Sequence, residues 1–186
     1  MDKTDVFKVI ERITALIRSE ERRRCAELGL QQVHLQILDY LSRCNRFSDT
    51  AAAVTAYLGI TKGTVSSSLQ IMESKGLIAK TPDAHDKRVI HLSLLDKGRD
   101  MLARARPVEL FHRAAAMLER EPPDLLVSAV SEVLTALQRA NRHQAFGLCK
   151  TCRYFTVKPD GFECGLTRLP LSAEDSEKIC QEHTLP

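Results

Sequence analysis

The feature that most constrains the fold is a change of hydrophobic period at Gly76. Before it, AAAVTAYLGITKGTVSSSLQIMESK predicts two short helices that meet at a turn around Gly59. After it, LIAKT and RVIHLSL are short, rich in apolar or β-branched residues and separated by the polar turn PDAHDK, which predicts a β-hairpin. This order indicates a winged helix-turn-helix. The predicted fold class is therefore mostly α with a small β-hairpin wing (α+β).

Four further helices are predicted around this core, at about residues 6–27, 31–44, 96–120 and 124–144. Pro107 must kink or divide the third of them, because proline removes a helical hydrogen bond. The apolar stripe near the N-terminus and the Leu125–Leu137 face of the last helix exceed what a compact winged core can cover. We therefore expect a two-fold homodimer that buries both and sets two recognition helices about one DNA turn apart, roughly 34 Å.

The second helix of the helix-turn-helix has a polar outer face, formed by Lys62, Ser66, Ser67 and Gln70. Hydroxyl and amide side chains beside a lysine suit a helix in a DNA major groove, although an ordinary solvated face has the same pattern. The wing tip carries His85, Lys87 and Arg88, which can reach phosphates or a minor groove. Asp86 can instead form an ion pair with Arg88 that shapes the turn. The net charge of +3 is too small to argue for nucleic acid by itself.

LGITKGTVSSSLQIMESKGLI followed by DAHDKRVIHLSLLDKG resembles the MarR family of bacterial transcriptional regulators, and the resemblance covers roughly residues 5–145. It implies an obligate homodimer that binds a near-palindromic double-stranded DNA operator, usually as a repressor. It also implies that Arg88 is the wing arginine with Asp86 as its acidic partner. The recognition-helix positions of the family are matched by Lys62, Thr64, Ser66 and Ser67.

Three positions depart from the family pattern. Ser67 stands where many relatives carry an arginine, so base reading would rest on hydroxyls, Gln70 and wing contacts. Ala84 replaces the usual proline of the wing turn. Leu95 replaces a threonine cap, a role that Asp96 can take over. The operator sequence therefore cannot be read from this chain.

The tail concentrates four of the six cysteines in a C-x2-C-x11-C-x15-C pattern, with His183 as an alternative ligand: Cys149, Cys152, Cys164 and Cys180. No apolar run approaches the roughly 18–20 residues of a membrane span, and the N-terminus lacks a signal-peptide pattern. We therefore expect a cytoplasmic protein with no membrane partner, in which reduced thiols serve as metal ligands. Because the tail has little apolar material, the metal is expected to supply its folding energy. A lone tail histidine such as His183 is more often a surface residue.

Four thiolates suit zinc or an iron–sulfur cluster. Zinc ribbons usually pair two C-x2-C knuckles, and only one is present here. CKTCRYF, ECGL and the last cysteine resemble high-potential iron–sulfur proteins and the small iron–sulfur subunits of glycyl-radical decarboxylases. That resemblance implies a [4Fe–4S] cluster, with Zn²⁺ as the alternative. The other two cysteines, Cys25 and Cys44, are expected to be buried packing residues, although three arginines before Cys25 can lower its pKa.

The sequence therefore predicts dimerisation helices at 1–30 and 96–146, a winged domain at 31–95 and a metal-binding module at 147–186. The predicted function is that of a dimeric regulator whose module lies next to the last dimerisation helix and senses redox, oxygen or iron state. One alternative is a structural zinc with a small aromatic effector, and another is an electron-transfer or enzyme-accessory protein. No enzyme is expected, because none of the histidines has a catalytic partner at a recognisable spacing and no nucleophile motif is present.

Overall fold

Helices dominate the first 141 residues. The computed structural model describes residues 2, 4–118, 123–141 and 146–186. The helices of this part are α1 (Asp5–Glu27), α2 (Gln32–Arg43), α3 (Ala51–Leu58), α4 (Lys62–Ser74), α5 (Asp96–Ala105), α6 (Val108–Met117) and α7 (Pro123–Asn141). Pro107 divides α5 from α6, which confirms the predicted break. The predicted helix ends near Arg120 and Gln144 lie outside the described residues.

Local capping fixes the helix-turn-helix. The Thr50 hydroxyl accepts a hydrogen bond from the Ala53 backbone N–H at 3.2 Å and begins α3. Gly59 ends α3 with a φ of 64°, a left-handed conformation that glycine adopts without steric cost. The Thr61 hydroxyl then caps α4 by accepting from the Thr64 N–H at 3.2 Å.

The wing is a two-stranded antiparallel hairpin of β1 (Ile78–Pro82) and β2 (Ile90–Leu94), in which Ile78 pairs with Leu94. Its inner face joins one hydrophobic core with α2, α3 and α4. The most deeply buried side chains of that core include Ile37, Leu38, Tyr40, Val54, Val65, Met72, Leu77 and Ile78. The winged-helix architecture predicted from the change of period is present.

The tail forms two small sheets that the sequence did not predict. Strand β3 (Gly147–Leu148) pairs with β7 (Ile179–Cys180), and β4 (Phe155–Lys158), β5 (Gly161–Cys164) and β6 (Leu169–Leu171) form an antiparallel sheet. A short helix, α8 (Ala173–Ser176), begins at a capping box formed by Ser172 and Asp175. The strands were missed because they are short and mostly exposed, which leaves no clear alternation.

The tail docks on the winged core at the loop between α2 and α3. The side chain of Ile179 is buried in the main core, and its carbonyl accepts from the Asn45 N–H at 2.9 Å. The Gln181 N–H donates to the Ser48 hydroxyl at 2.9 Å. A contact with α7 is also present, because the Gln138 amide donates to the Phe146 carbonyl at 2.8 Å. The sequence predicted a place beside the last dimerisation helix and gave no sign of these contacts with the winged domain.

Two helices carry large apolar side chains that the described chain leaves exposed. These are Val9, Ile13 and Leu16 on α1 and Val127, Val130 and Leu134 on α7. Faces of this kind are covered by a partner in stable soluble proteins. None of the helices that the structure describes has the length and apolar character needed to span a bilayer.

Candidate nucleic-acid interface and cysteine centre

Helix α4 turns its polar face to solvent. Val65, Leu69 and Met72 on the opposite face are buried. The predicted DNA-contacting side chains of this helix are exposed: Lys62, Thr64, Ser66, Ser67 and Gln70. Lys62 and Ser66 also line a concave surface formed with α3 and the wing. The face is thus available to a DNA groove, and contact with bases stays a prediction.

Two aspartates shape the wing tip. The Asp83 carboxylate accepts from the backbone N–H groups of His85 and Asp86, both at 2.8 Å, and these bonds hold its pKa below the ordinary value. The Arg88 guanidinium donates to the Asp86 carboxylate at 2.8 Å, and this bond lowers the pKa of Asp86. The ion pair considered for Asp86 is therefore present. Because 90% of the Arg88 side chain is exposed, its remaining N–H groups stay open to a phosphate.

His91 joins the wing to the loop before α3. Its Nδ1 lies 2.6 Å from Asp49 Oδ1 and its Nε2 lies 3.2 Å from Asp83 Oδ2. The hydrogen bond with Asp49 is the main reason why the pKa of His91 is raised, since only the imidazolium donates from both nitrogens. No partner of His91 could be predicted from the sequence, because Asp49 lies 42 positions away and neither residue belongs to a recognised motif.

The four tail cysteines line one cavity, as the predicted ligand set requires. Cys149 and Cys152 flank a short 3₁₀ turn, Cys164 ends β5 and Cys180 ends β7. The other walls of this cavity include Asn45, Phe47, Tyr154, Phe155, Leu166, Thr167, Leu171 and Glu182. The winged domain therefore contributes Asn45 and Phe47 to a site that the sequence placed entirely in the tail.

Burial and mutual repulsion govern these thiols. Burial raises the pKa of Cys149 to about 12, and the neighbouring cysteines add to that rise. Burial also raises the pKa of Cys180, although the side chains of Asn45 and Ser48 act in the opposite direction. At Cys164 burial is outweighed by hydrogen bonds from Thr167, so the pKa is lowered. Burial therefore acts to raise the pKa of three of the four thiols, and at Cys164 hydrogen bonds reverse its effect.

Hydrogen-bond donors point at the sulfurs. The Thr184 backbone N–H donates to Cys152 Sγ at 3.4 Å. The Asn45 side chain is 1% exposed, and its Nδ2 makes no regular hydrogen bond in the described part of the chain. It nevertheless lies close enough to Cys180 to lower the pKa of that thiol. A buried amide that lines the cavity without a regular partner fits a site that holds thiolates, which accept such bonds.

The alternative ligand His183 does not line the cavity. It is buried, so the expectation of a surface residue is wrong, and its Nε2 lies 3.0 Å from the Thr151 hydroxyl. A Cβ added to Gly147 would come within 2.7 Å of its ring, which shows how tightly the ring is packed. Cys25 and Cys44 are buried packing residues, as expected. Burial raises the pKa of Cys25, so the arginines before it do not activate the thiol.

Although four thiols line one cavity, no three Cys, His, Asp or Glu side chains within the described ranges are close enough together to hold a single metal ion. The arrangement supplies four thiols that line one cavity, an apolar wall that excludes water, and N–H donors for thiolates.

The fold and this surface define a winged helix-turn-helix protein with an open polar recognition helix. Residues 28–89 match the model of the MarR family, which covers α2 to α4 and the first wing strand and leaves β2, α5 to α7 and the cysteine tail outside. Over these residues the chain is similar to the MarR family. Comparison with curated proteins gives no match.

Solved structures show the same fold. A MarR-family regulator from Silicibacter pomeroyi aligns with a TM-score of 0.60 at 19% identity, over 74% of this chain and 90% of its own. BldR from Sulfolobus solfataricus gives 0.53 at 22% identity, over 73% and 99%. A MepR variant from S. aureus bound to an oligodeoxyribonucleotide gives 0.50 at 20% identity, over 72% and 98%. About a quarter of this chain lies outside these alignments.

Proposed function

We propose that the protein is a homodimeric DNA-binding regulator that acts at a near-palindromic operator, as a repressor. The observation that carries this proposal is the exposed polar face of α4 beside a wing that presents Arg88. Supporting it, the structural neighbour MepR is described with an oligodeoxyribonucleotide. The bare apolar faces of α1 and α7 supply the dimer contact that a two-fold operator requires.

The finer part of the proposal concerns the tail: Cys149, Cys152, Cys164 and Cys180 would hold a [4Fe–4S] cluster. Tetrahedral zinc needs all four sulfurs about 2.3 Å from one point. In a four-iron cluster each thiolate binds its own iron, so thiols spread around the walls of a cavity suit the cluster better. Tyr154, Phe155 and Leu166 would shield the cluster from water.

The cluster would make the regulator responsive to iron, oxygen or redox state. Residues of this chain prepare the site: Asn45 and Thr184 offer N–H groups to sulfur, and Thr167 already favours the thiolate of Cys164. Such donors stabilise the deprotonated thiols that a metal centre requires. Aromatic and aliphatic walls limit access of water and oxidant.

The test is anaerobic purification, followed by a visible spectrum and analysis of iron, zinc and acid-labile sulfide. A coloured protein with about four irons and four sulfides per chain is expected. The paired substitution Cys152→Ser and Cys164→Ser should abolish uptake, whereas Cys25→Ala, which removes a buried thiol outside the cavity, should not. A colourless chain with about one zinc would support the structural-zinc alternative and contradict the cluster.

DNA binding is tested separately, with a duplex enriched from a random-sequence pool by the purified full-length chain. A two-fold footprint is expected, with the two protected half-sites about one helical turn apart. Enrichment of no sequence at moderate salt would contradict the regulator proposal, since non-specific binding weakens steeply as salt rises.

A further inference from the structure

The cysteine centre is fastened to the loop of residues 44–50, which joins α2 to α3. Cys44 forms a parallel bridge with Ile179, and the Asn45 N–H donates to the Ile179 carbonyl at 2.9 Å. The Gln181 N–H, one position after Cys180, donates to the Ser48 hydroxyl at 2.9 Å. One end of the loop is thus bonded to the strand that carries a predicted ligand.

The other end of the same loop is fastened to the wing. Thr50 forms an antiparallel bridge with His91, and the Leu92 N–H donates to the Asp49 carbonyl at 2.7 Å. The Asp49 carboxylate contacts His91, whose other ring nitrogen contacts Asp83. Asp83 in turn holds the backbone of the wing tip. Hydrogen bonds therefore run from the loop to the predicted phosphate-contacting residues.

Hydrogen bonds within the 44–50 loop restrict the movement of one end relative to the other. The Ser48 hydroxyl donates to the Asn45 side-chain oxygen at 2.8 Å, and the Phe47 N–H donates to the same oxygen at 3.1 Å. The Tyr40 hydroxyl donates to the Ser48 carbonyl at 2.8 Å. Asn45, Ser48 and Tyr40 are all buried, so water cannot replace a hydrogen bond that is broken there. A displacement of Asn45 must therefore displace the residues to which it is bonded.

We propose that the 44–50 loop transmits the metal-bound or metal-free state of the cysteine centre to the wing. Asn45 and Ser48 would contact the cysteine centre, and the Asp49–His91 contact would pass the change to the wing. This inference rests on the proposed function, in which the thiols are metal-bound in one state and free in another. Asn45 and Cys180 line the same cavity, so a metal-bound Cys180 thiolate would accept a stronger hydrogen bond from the Asn45 amide than the free thiol does. A change in the hydrogen bond between Asn45 and Cys180 would displace the loop that positions His91.

The experiment measures hydrogen exchange of backbone amides in the full-length chain, metal-free and after reconstitution with ferrous iron and sulfide. Loading should slow exchange at residues 147–152 and 176–184, where the centre is built. It should also slow exchange at wing residues 83–92, by about 5- to 150-fold if the coupling has the usual allosteric size. In Asp49→Ala and His91→Gln the tail should still respond and the wing should not.

Lys80→Gln is the matched control. Lys80 also anchors the wing, through an ion pair with Glu73 of α4 at 2.6 Å, but it does not touch the 44–50 loop. This variant should keep the response of the wing to loading. If Lys80→Gln also abolished the response of the wing to loading, the route through Asp49 and His91 would be overturned, because any variant that loosens the wing would then abolish the response.

Three further outcomes are decisive. Normal iron and sulfide uptake with no change at the wing would overturn the coupling while leaving the proposed function intact. A wing response that survives in both Asp49→Ala and His91→Gln would overturn this route. Failure to take up iron and sulfide would overturn the cluster proposal alone. The coupling is then tested in metal-free chains. Ile179→Ala should speed hydrogen exchange of the wing amides when His91 is present. In the His91→Gln background, Ile179→Ala should leave that exchange unchanged.

Discussion

Arg88 is the residue whose role in DNA binding is most directly testable. Its guanidinium is oriented by Asp86 yet almost fully exposed, so Arg88→Ala should remove one phosphate contact without disturbing the core. We expect affinity for the enriched duplex to fall about tenfold and the slope of log K against log salt to fall by about 1. Fluorescence anisotropy over a salt series measures both quantities. Lys158→Ala, on the tail surface, should change neither, and an unaltered slope in Arg88→Ala would place the wing away from the phosphates.

His91 predicts a pH dependence of stability. Its folded-state pKa is raised above the ordinary 6.5, chiefly by Asp49, so it stabilises the fold most below that pH. This contribution is lost as the pH rises through the folded-state pKa. The site is partly exposed, so the effect should stay below about 1 kcal/mol. Urea unfolding between about pH 6 and pH 8 should show a smaller loss of stability in His91→Gln than in the natural chain.

Lys80→Gln serves as the control for this measurement, because it perturbs the same hairpin without removing the histidine. It should keep the pH dependence of the natural chain. Equal slopes in the natural chain and in His91→Gln would mean that the imidazolium contributes nothing to folding.

At the residue scale, the sequence predicted the local motifs and missed the contacts between distant segments. The four cysteines, Arg88 and the face of α4 each belong to a spacing that can be read within a short window. Asn45 and His91 do not, since Cys180 and Asp49 approach them only after the chain has folded. A polar residue in a loop carries no periodic signal that separates a cavity wall from a solvated turn.

At the scale of elements, the packing of α5 against the start of the wing depends on one missing side chain. A Cβ on Gly98 would lie 2.1 Å from the Leu77 carbonyl oxygen, which is backbone and cannot swing aside. Gly98→Ala should therefore lower the free energy of unfolding by about 1–3 kcal/mol, the usual cost of overpacking. Denaturant unfolding provides the measurement.

Gly63→Ala offers a control of opposite sign. Gly63 lies inside α4, and the nearest atom to an added Cβ is 3.9 Å away. Removing glycine from a helix with free space should stabilise the chain by about 0.5–1 kcal/mol. If Gly98→Ala also stabilised the chain, the close approach of α5 to Leu77 would be disproved.

The elements themselves divide into those with and without a periodic signal. Helices α2 to α4 and the wing were predictable because each buries apolar side chains in one core, and α1 was predictable from an apolar stripe that is largely exposed in the single chain. The strands of the tail were not, because they bury few side chains and contact mainly one another and the 44–50 loop. The tilted rings of Phe155 and Phe162, whose centroids are 5.0 Å apart, form a small apolar centre in the tail.

At the scale of the whole molecule, the exposed apolar faces of α1 and α7 are the surfaces that the proposed homodimer would bury. Val127, Val130 and Leu134 follow one face of α7, and Val130 and Leu134 are 66% and 55% exposed in the single chain. A dimer that covers them places one recognition helix on each side of a two-fold axis. Specific DNA binding by two half-sites then depends on this distant face.

Leu134→Glu should therefore yield a monomer that no longer binds the enriched duplex tightly, because a carboxylate cannot be buried unpaired in an apolar interface. Sedimentation measures the mass, and anisotropy measures DNA affinity. Since each chain keeps its own winged core, the circular dichroism spectrum should retain its helical signal. Glu132→Gln, an exposed polar position on the same helix, should stay dimeric. A Leu134→Glu chain that remained dimeric and bound DNA normally would place the dimer contact elsewhere than on this face of α7.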